Sequence, residues 1–151
     1  LPHMPLRIGI GINTGEVFVG NMGSEQRFDY SIVGDPVNVT ARLEAATKDF
    51  LVPVIASEST RNAASNYAFV DLGSTGLKGK TGETSVFALH SFKDAAEPDF
   101  DTFLELHDAA IRAAGRNSSE LDLCLKAVRS HPAALRYGNF YDRLARICAS
   151  R

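Results

Sequence analysis

An amide and a guanidinium stand one helical turn apart in the sequence GDPVNVTARLEAA, at positions 34–46. Asn38 and Arg42 occupy positions i and i+4, which places both side chains on one stripe of a helix. A guanidinium offers forked donors that match the oxygens of a phosphoryl group or a carboxylate. Spacing alone leaves two interpretations open, a ligand-binding pair or an internal salt bridge from Arg42 to Glu44 or Asp49.

A second candidate for anion binding is the glycine-rich segment GLKGKTG at positions 76–82. It is not a P-loop, because Ser74 replaces the first required glycine and the strand-like segment ETSVFAL follows where a helix is needed. Lys78 and Lys80 still place two ammonium groups on this turn. They either reach a phosphate or are solvated turn residues.

The composition excludes several other classes of function. The chain of 151 residues has a net charge of −2 and a pI of about 6.1, so no overall basic field favours nucleic-acid binding. No histidine has a partner at ligand spacing, and Cys124 and Cys148 lack metal or redox spacing, as in a cytosolic protein with reduced thiols. No apolar run approaches ~18 residues. We therefore expect no membrane contact and a cytoplasmic location, although a longer parent protein can be membrane-tethered.

The alternation of apolar and polar residues and the turn residues predict the strands that precede the Asn38 helix, and capping residues predict where the helix begins. The segment LRIGIGI reads as a strand, joined through Asn13–Gly15 to a second strand, EVFVGNM, in a hairpin. The segment GSEQRFD reads as a polar loop or arm, and YSIV as a short strand. The helix is predicted to begin with Asp35 as its cap and Pro36 in the first helical position, and to continue to about Phe50.

The following segments complete a mixed fold. VPVIAS is predicted to be a buried strand, ESTRNAAS a short helix capped by Ser57 or Ser59, and YAFVDLGST and ETSVFALHSF two more strands. Strands and helices alternate here without a regular βαβ period. This order favours a fold of the α/β class, more closely an α+β sandwich of ferredoxin-like type. We expect Asp29 and Asp35 to be structural.

The character of the sequence changes after Phe92. Residues 93–99 read as a polar linker, and 100–151 as an all-helical appendage with helices near 100–114, 118–130 and 132–149. The apolar positions of these helices are Phe103, Leu104, His107, Ala110, Ile111, Leu121, Leu125, Val128, Leu135, Phe140, Leu144 and Ile147. The simplest interpretation of the appendage is a packing or interaction module.

The segment IGINTGEVFVGNMGSEQRFDYSIVGDPVNVTARLE closely resembles the second half of the class III nucleotidyl cyclase catalytic domain, the adenylate and guanylate cyclase family. The resemblance extends from about Leu6 to Phe92, since LGSTGLKGKTGETSVFAL is similar to the family's closing strands. It implies an incomplete cyclase fold over residues 1–92. The helical part resembles an extension found in some bacterial cyclases.

The resemblance implies a role for each candidate site residue. At the Asn38 position the family's amide orients the ribose of a nucleoside triphosphate. At the Arg42 position the guanidinium stabilises charge on the α-phosphate while the 3′-hydroxyl attacks it and pyrophosphate leaves. Lys78 lies where the family places a lysine on the triphosphate, with Lys80 as the alternative.

Base recognition is implied for the strand before the helix. Ser31 lies at one of the two base-reading positions, where adenylate cyclases carry Asp, Thr or Ser and guanylate cyclases more often Cys. A hydroxyl can accept a hydrogen bond from the adenine amino group, so Ser31 favours ATP. Ile32 and Val33 are expected to line the base pocket.

The family's metal site lies outside this sequence. Class III cyclases bind two Mg²⁺ or Mn²⁺ ions through two aspartates, at positions that fall before Leu1, so the resemblance implies no metal ligand in this chain. Family members work as head-to-tail homodimers, with metal ions from one protomer and the Asn and Arg side chains from the other. We therefore expect the parent protein to convert ATP to cyclic AMP in intracellular signal transduction, and the isolated chain to be inactive.

Two alternatives stay open at this stage. One is a guanylate cyclase of the same family, which the missing second base-reading position would decide. The other is a non-catalytic cyclase-like module for regulation or dimerisation. Asn38, Arg42 and Lys78 are all present, which argues against a non-catalytic module for the half of the site that this chain carries.

Overall fold

A computed structural model describes residues 7–24, 27–76, 83–114, 116 and 118–149. The strands are β1 (Ile10–Ile12), β2 (Phe18–Ser24), β3 (Arg27–Val33), β4 (Val54–Ser57), β5 (Tyr67–Gly76) and β6 (Glu83–Phe92). The helices are α1 (Asp35–Phe50), α2 (Glu58–Ala63), α3 (Phe100–Ala114), α4 (Ser118–Arg129) and α5 (Gly138–Ala149). Two 3-10 helices span Lys93–Ala95 and Pro132–Tyr137.

The central sheet is mixed and has four strands in the order β1-β4-β6-β5. β1 pairs with β4 in parallel, with Ile10 opposite Val54, whereas the other two pairs are antiparallel. A parallel pair needs a long crossover, which the chain makes through β2, β3 and α1. The prediction of an α/β sandwich with C-terminal helices is confirmed.

The β2–β3 ribbon is a separate two-stranded sheet, and here the sequence prediction was wrong. β2 pairs with β3 from Phe18 opposite Val33 to Ser24 opposite Arg27, and not with β1. The segment expected to be a polar loop is therefore largely strand. The turn residues Asn13–Gly15 led to this error. Such residues indicate that the chain changes direction, but they do not indicate which strand pairs with β2.

The α1 helix begins at Asp35, one residue before Pro36, the predicted first helical residue. Gly34 holds the N-cap position with φ 150°, a positive value that side-chain-bearing residues rarely adopt. Asp35, predicted as the cap, is instead the first helical residue, where its carboxylate stabilises the positive end of the helix dipole. Pro36 follows in the first turn, and the helix ends at Phe50 as predicted, with Leu51 in the left-handed conformation.

A glycine allows α1 to approach β1 closely. A β-carbon added to Gly11 would lie 2.4 Å from the carbonyl oxygen of Thr40 and 2.5 Å from the backbone nitrogen of Glu44. Both atoms belong to the helix backbone, which cannot move aside as a side chain can. The hydrogen at Gly11 therefore sets how near the helix lies to the strand.

The C-terminal helices share one hydrophobic core with the sheet. Buried side chains of β5 and β6, including Val70 and Ala88, belong to the same cluster as Phe103 and Phe140 of the helices. The predicted helices at 100–114 and 118–130 are confirmed, but Pro132–Tyr137 is 3-10 and α5 begins only at Gly138. No described helix is both long and apolar enough to cross a membrane.

Candidate functional site

Asn38 and Arg42 lie outside the set of residues that the α1 helix buries. The residues that α1 buries against the rest of the fold are Val39, Leu43, Ala46, Thr47 and Phe50. Asn38 is exposed and Arg42 is half-buried. Ala41 and Ala45 are also exposed, so more of this helix is open than its apolar residues suggested.

The guanidinium of Arg42 has an unsatisfied donor. Its Nη1 is buried, yet it has no hydrogen-bond partner among the described residues. The salt-bridge interpretation required an acceptor on Glu44 or Asp49, and neither accepts from Nη1. A buried polar group left unpaired costs about 1–3 kcal/mol. Such a donor is available to an anion that enters from outside the described part of the chain.

The candidate base-reading residues lie on β3, which leads directly into α1 through Gly34. Ser31 is opposite Gly20 in the β2–β3 ribbon, and both Ser31 and Ile32 are exposed. Because successive side chains of a strand point to opposite faces, Ser31 and Ile32 face different sides of the ribbon. Only one of them can point toward a base on a given side.

The two candidate lysines, Lys78 and Lys80, lie outside the described residues. The structure therefore brings Asn38 and Arg42 together on one helix and places Ser31 and Ile32 on the preceding strand.

The described residues offer no place for a metal ion. They contain no group of three or more His, Cys, Asp or Glu side chains that could hold one. Asp29 is exposed on β3 and Asp35 belongs to the first turn of α1. The described acidic residues therefore do not form a site for the Mg²⁺ or Mn²⁺ ions that the family resemblance implies. No catalytic step is assigned to a metal on this chain.

A polar residue that the sequence analysis treated as a turn former holds the start of α1. Nδ2 of Asn13 donates a hydrogen bond of 3.0 Å to the carbonyl oxygen of Pro36. The hydroxyl of Thr40 donates to the same oxygen at 2.9 Å. The polar pair Asn13-Thr14 directly after β1 indicated hydrogen bonding at this point. The neighbouring sequence did not indicate that the partner of Asn13 lies in α1.

Two buried histidines lie away from Asn38 and Arg42 and connect the C-terminal helices to the sheet. In His90, Nε2 lies 2.6 Å from Oε2 of Glu97 and Nδ1 lies 2.9 Å from the hydroxyl of Tyr137. The hydrogen bond from His90 lowers the pKa of Glu97. For His107, burial lowers the pKa of the imidazole because the charged form loses its hydration.

Comparison with known proteins gives matches over the first part of the chain. A sequence model of the family described as "Adenylate and Guanylate cyclase catalytic domain" matches residues 2–91, which is more than half of the chain. Two uncharacterized proteins, one from Mycobacterium bovis and one from Mycobacterium tuberculosis, are each 44% identical over 64 residues, or 42% of this chain. The match covers only 12% of the length of each of these relatives.

Solved structures also match. The guanylyl cyclase Cya2 is 33% identical with a TM-score of 0.48, and covers 59% of this chain and 43% of its own. The adenylyl cyclase CyaB from P. aeruginosa is 30% identical with a TM-score of 0.48, and covers 57% of this chain and 44% of its own.

Proposed function

Because the chain belongs to the family of adenylate and guanylate cyclase catalytic domains, we propose that it supplies one half of a nucleotidyl cyclase centre. This half holds the ribose and the reacting phosphorus of a nucleoside triphosphate, with ATP as the favoured substrate. The observation that carries the proposal is the buried Nη1 of Arg42, which has no partner in the described part of the chain and lies one turn from the exposed amide of Asn38.

The proposed reaction is an internal displacement at the α-phosphorus. The 3′-hydroxyl oxygen forms a bond to that phosphorus, the bond from the phosphorus to the bridging oxygen of pyrophosphate breaks, and the hydroxyl proton passes to solvent. The products are a cyclic nucleotide and pyrophosphate. Negative charge grows on the oxygens around the α-phosphorus, and a fixed cation directed at developing charge is the largest catalytic contribution in many enzymes.

Arg42 fits the role of that cation. Its guanidinium cannot lose its charge near neutral pH, and its planar donors match phosphoryl oxygens. An internal salt bridge would compensate the charge and weaken its effect on the substrate. Since Nη1 has no partner among the described residues, the free donor supports a role in binding substrate.

Asn38 and the β3 residues are proposed to place the nucleoside. The amide of Asn38 offers both a donor and an acceptor to the ribose hydroxyls. On β3, the hydroxyl of Ser31 accepts from the adenine amino group, and Ile32, whose side chain faces the other side of the ribbon, lines the base pocket through its backbone. Lys78, with Lys80 as the alternative, is proposed to bind the triphosphate.

The assembly we propose is a head-to-tail dimer. Mg²⁺ or Mn²⁺ ions supply Lewis-acid neutralisation of the triphosphate when bound. Since no described group of residues in this chain fits an ion, the opposite protomer is proposed to bring the metal ligands. The exposed Phe18 and Tyr30 of the β2–β3 ribbon, 80% and 76% accessible, are compatible with contact to a second protomer.

A hybrid assay tests this proposal. The chain is mixed with an acceptor cyclase, a family homodimer whose own Asn and Arg at the two positions are replaced by Ala, and cyclic nucleotide formation is measured with Mn²⁺ and either ATP or GTP. The acceptor alone forms no product, so product must come from a hybrid site. We expect cyclic AMP with the unmodified chain and a loss of about 10²–10³-fold with Arg42→Ala.

A matched control is Arg146→Ala, which removes an exposed arginine on α5 and should leave product formation unchanged. If a hybrid dimer forms by native mass spectrometry and yields no product, the proposed activity is wrong. Cyclic GMP in place of cyclic AMP would make the site a guanylate cyclase centre.

A further inference from the structure

The first turn of α1 is held from outside the helix at a single carbonyl. The oxygen of Pro36 accepts from Nδ2 of Asn13 at 3.0 Å and from the hydroxyl of Thr40 at 2.9 Å. Helical geometry also directs the backbone N–H of Thr40 at this oxygen. Pro36 precedes Asn38 by two positions, so the contact from Asn13 falls on the turn that carries the proposed ribose-binding amide.

The orientation of the Asn13 amide is determined by its neighbours. The carbonyl of Pro36 can only accept, so the nitrogen of the amide must face it. The amide oxygen Oδ1 then faces the hydroxyl of Ser59, whose Oγ lies 3.2 Å away. Asn13 therefore connects the start of α1 with the start of α2 through two different atoms of one side chain.

Hydroxyl groups around α2 fix the position of Ser59. Its Oγ lies 2.8 Å from the carbonyl oxygen of Thr14 and 2.9 Å from Oγ of Ser57. Ser57 is the N-cap of α2 and accepts from the backbone N–H of Thr60 at 3.3 Å. Thr60 in turn lies 3.1 Å from the hydroxyl of Thr14. We call Ser57, Ser59, Thr60 and Thr14 the hydroxyl cluster.

The position of α1 relative to β1 is fixed in two ways. Close contact at Gly11 sets the distance between helix and strand, because no β-carbon fits there. Asn13, two residues further along, links the strand end to the first turn and fixes where the helix begins. Gly11 lies against the backbone of Thr40 and Glu44, and Asn13 donates to the backbone carbonyl of Pro36, so both residues act through the helix backbone.

We propose that Asn13 is a positioning residue for the cyclase reaction: its amide, oriented by the hydroxyl cluster, holds the first turn of α1 so that Asn38 and Arg42 meet the substrate together. This inference rests on the proposed function. It assigns to Asn13 no contact with substrate. Displacement of a positioned group by about 1 Å can cost ~10²-fold in rate, so a hydrogen bond far from the reacting atoms can control turnover.

The test uses Asn13→Asp, which keeps the shape of the side chain but replaces the donor to Pro36 by an acceptor. In the hybrid assay we expect kcat to fall about 10- to 100-fold, with KM changed less than about twofold because the triphosphate contacts are retained. Asn62→Asp, which makes the same exchange at an exposed position of α2, should leave both constants unchanged. Asn13→Ala provides a second variant if Asn13→Asp fails to fold.

A double variant separates positioning from general loss of stability. If Asn13 acts through Asn38 and Arg42, Asn13→Asp combined with Arg42→Ala should lose little more activity than Arg42→Ala alone. Losses that multiply in the double variant, or an unchanged kcat in Asn13→Asp, would overturn the inference. Thermal unfolding of each variant confirms that the folded protein is being assayed.

Hydrogen exchange tests the structural part without any activity. Loss of the Asn13 contact should speed exchange of the Thr40 amide about tenfold, whereas amides in the middle of α4 stay unchanged. If the unmodified chain gives no product but this exchange rises, the proposed function fails and the positioning of α1 stands. Unchanged exchange at Thr40 contradicts the inference whatever the assay gives.

Discussion

Nδ1 of His107, in α3, lies 2.7 Å from the hydroxyl of Tyr141, in α5, and both side chains are 0% exposed. The other ring nitrogen, Nε2, is hydrogen-bonded to the backbone carbonyl of Asp71 on β5. A carbonyl only accepts, so Nε2 carries the hydrogen and Nδ1 accepts from Tyr141. One neutral imidazole thus connects two C-terminal helices with the sheet.

This connection makes stability depend on pH. Burial lowers the pKa of His107 below its ordinary value of about 6.5. The hydrogen bond to the backbone carbonyl of Asp71 and the carboxylates of Asp108 and Asp71 oppose this shift only in part. Below pH 6.5 the unfolded chain binds a proton that the folded chain does not, so stability falls as pH falls from about 6.5 toward the lowered pKa. Urea unfolding between pH 5 and 8 measures the effect.

The slope expected from one proton is at most about 1.4 kcal/mol per pH unit. In His107→Gln, which has no titrating ring, this part of the slope should vanish. His131→Gln, at a half-buried position, should keep it. An equal slope in His107→Gln and the unmodified chain would show that another group is responsible.

Removing the charge of Arg42 should not cost stability. Arg42→Met keeps much of the apolar stem and removes a buried N–H that has no partner within residues 7–24, 27–76, 83–114, 116 and 118–149. We therefore expect the free energy of unfolding to be unchanged or to rise by up to about 1 kcal/mol. Urea denaturation gives this value, and the hybrid assay should show activity lost. A decrease above ~1 kcal/mol would reveal an internal partner. Arg129→Met, which breaks an exposed pair with Asp142, should cost about 0–1 kcal/mol.

Close packing of β1 against α1 should make Gly11 intolerant of a side chain. Gly11→Ala places a methyl group against helix backbone atoms, so we expect a loss of about 1–3 kcal/mol and a displaced α1. Gly138→Ala is the matched control, since its β-carbon would meet nothing within 4 Å and its φ of −51° is helical. That variant should be stabilised by about 0.5–1 kcal/mol. Denaturation curves of both variants and of the unmodified chain measure these changes. A Gly11→Ala variant as stable as the unmodified chain would contradict the close packing of β1 against α1.

The C-terminal helices should be required for folding. The sequence alone favoured a packing or interaction module for this part of the chain, and the contacts of these helices with the sheet favour packing. Phe50 at the end of α1 stacks on Phe140 of α5 with ring centres 6.5 Å apart, and Val70 and Leu72 of β5 share their buried cluster. A chain of residues 1–99 should lose near-ultraviolet circular dichroism and dispersed NMR signals. Retention of both would show that residues 1–99 fold without the C-terminal helices.

Local patterns predicted much of the fold, and non-local contacts account for what they missed. The α1 helix, the Ser57 cap of α2 and strands β5 and β6 follow from capping residues and short-range periodicity. Strand partners do not follow from such patterns, which is why β2 was assigned to β1. Asn13 was missed for the same reason, because its partners Pro36 and Ser59 lie 23 and 46 positions away.

The parallel pairing of β1 with β4 has a consequence for how the chain is made. Of the two paired strands, β1 is made before β4, because Val54, the partner of Ile10, follows only after the β2–β3 ribbon and α1. At about 5–20 residues per second, Val54 is made seconds after Ile10, and β1 lacks its β4 partner for that time. Slow closure of such a distant pair exposes Ile8, which stays 66% accessible even after folding, to other newly made chains. Assistance by chaperones is therefore most valuable in the interval between the synthesis of β1 and that of β4.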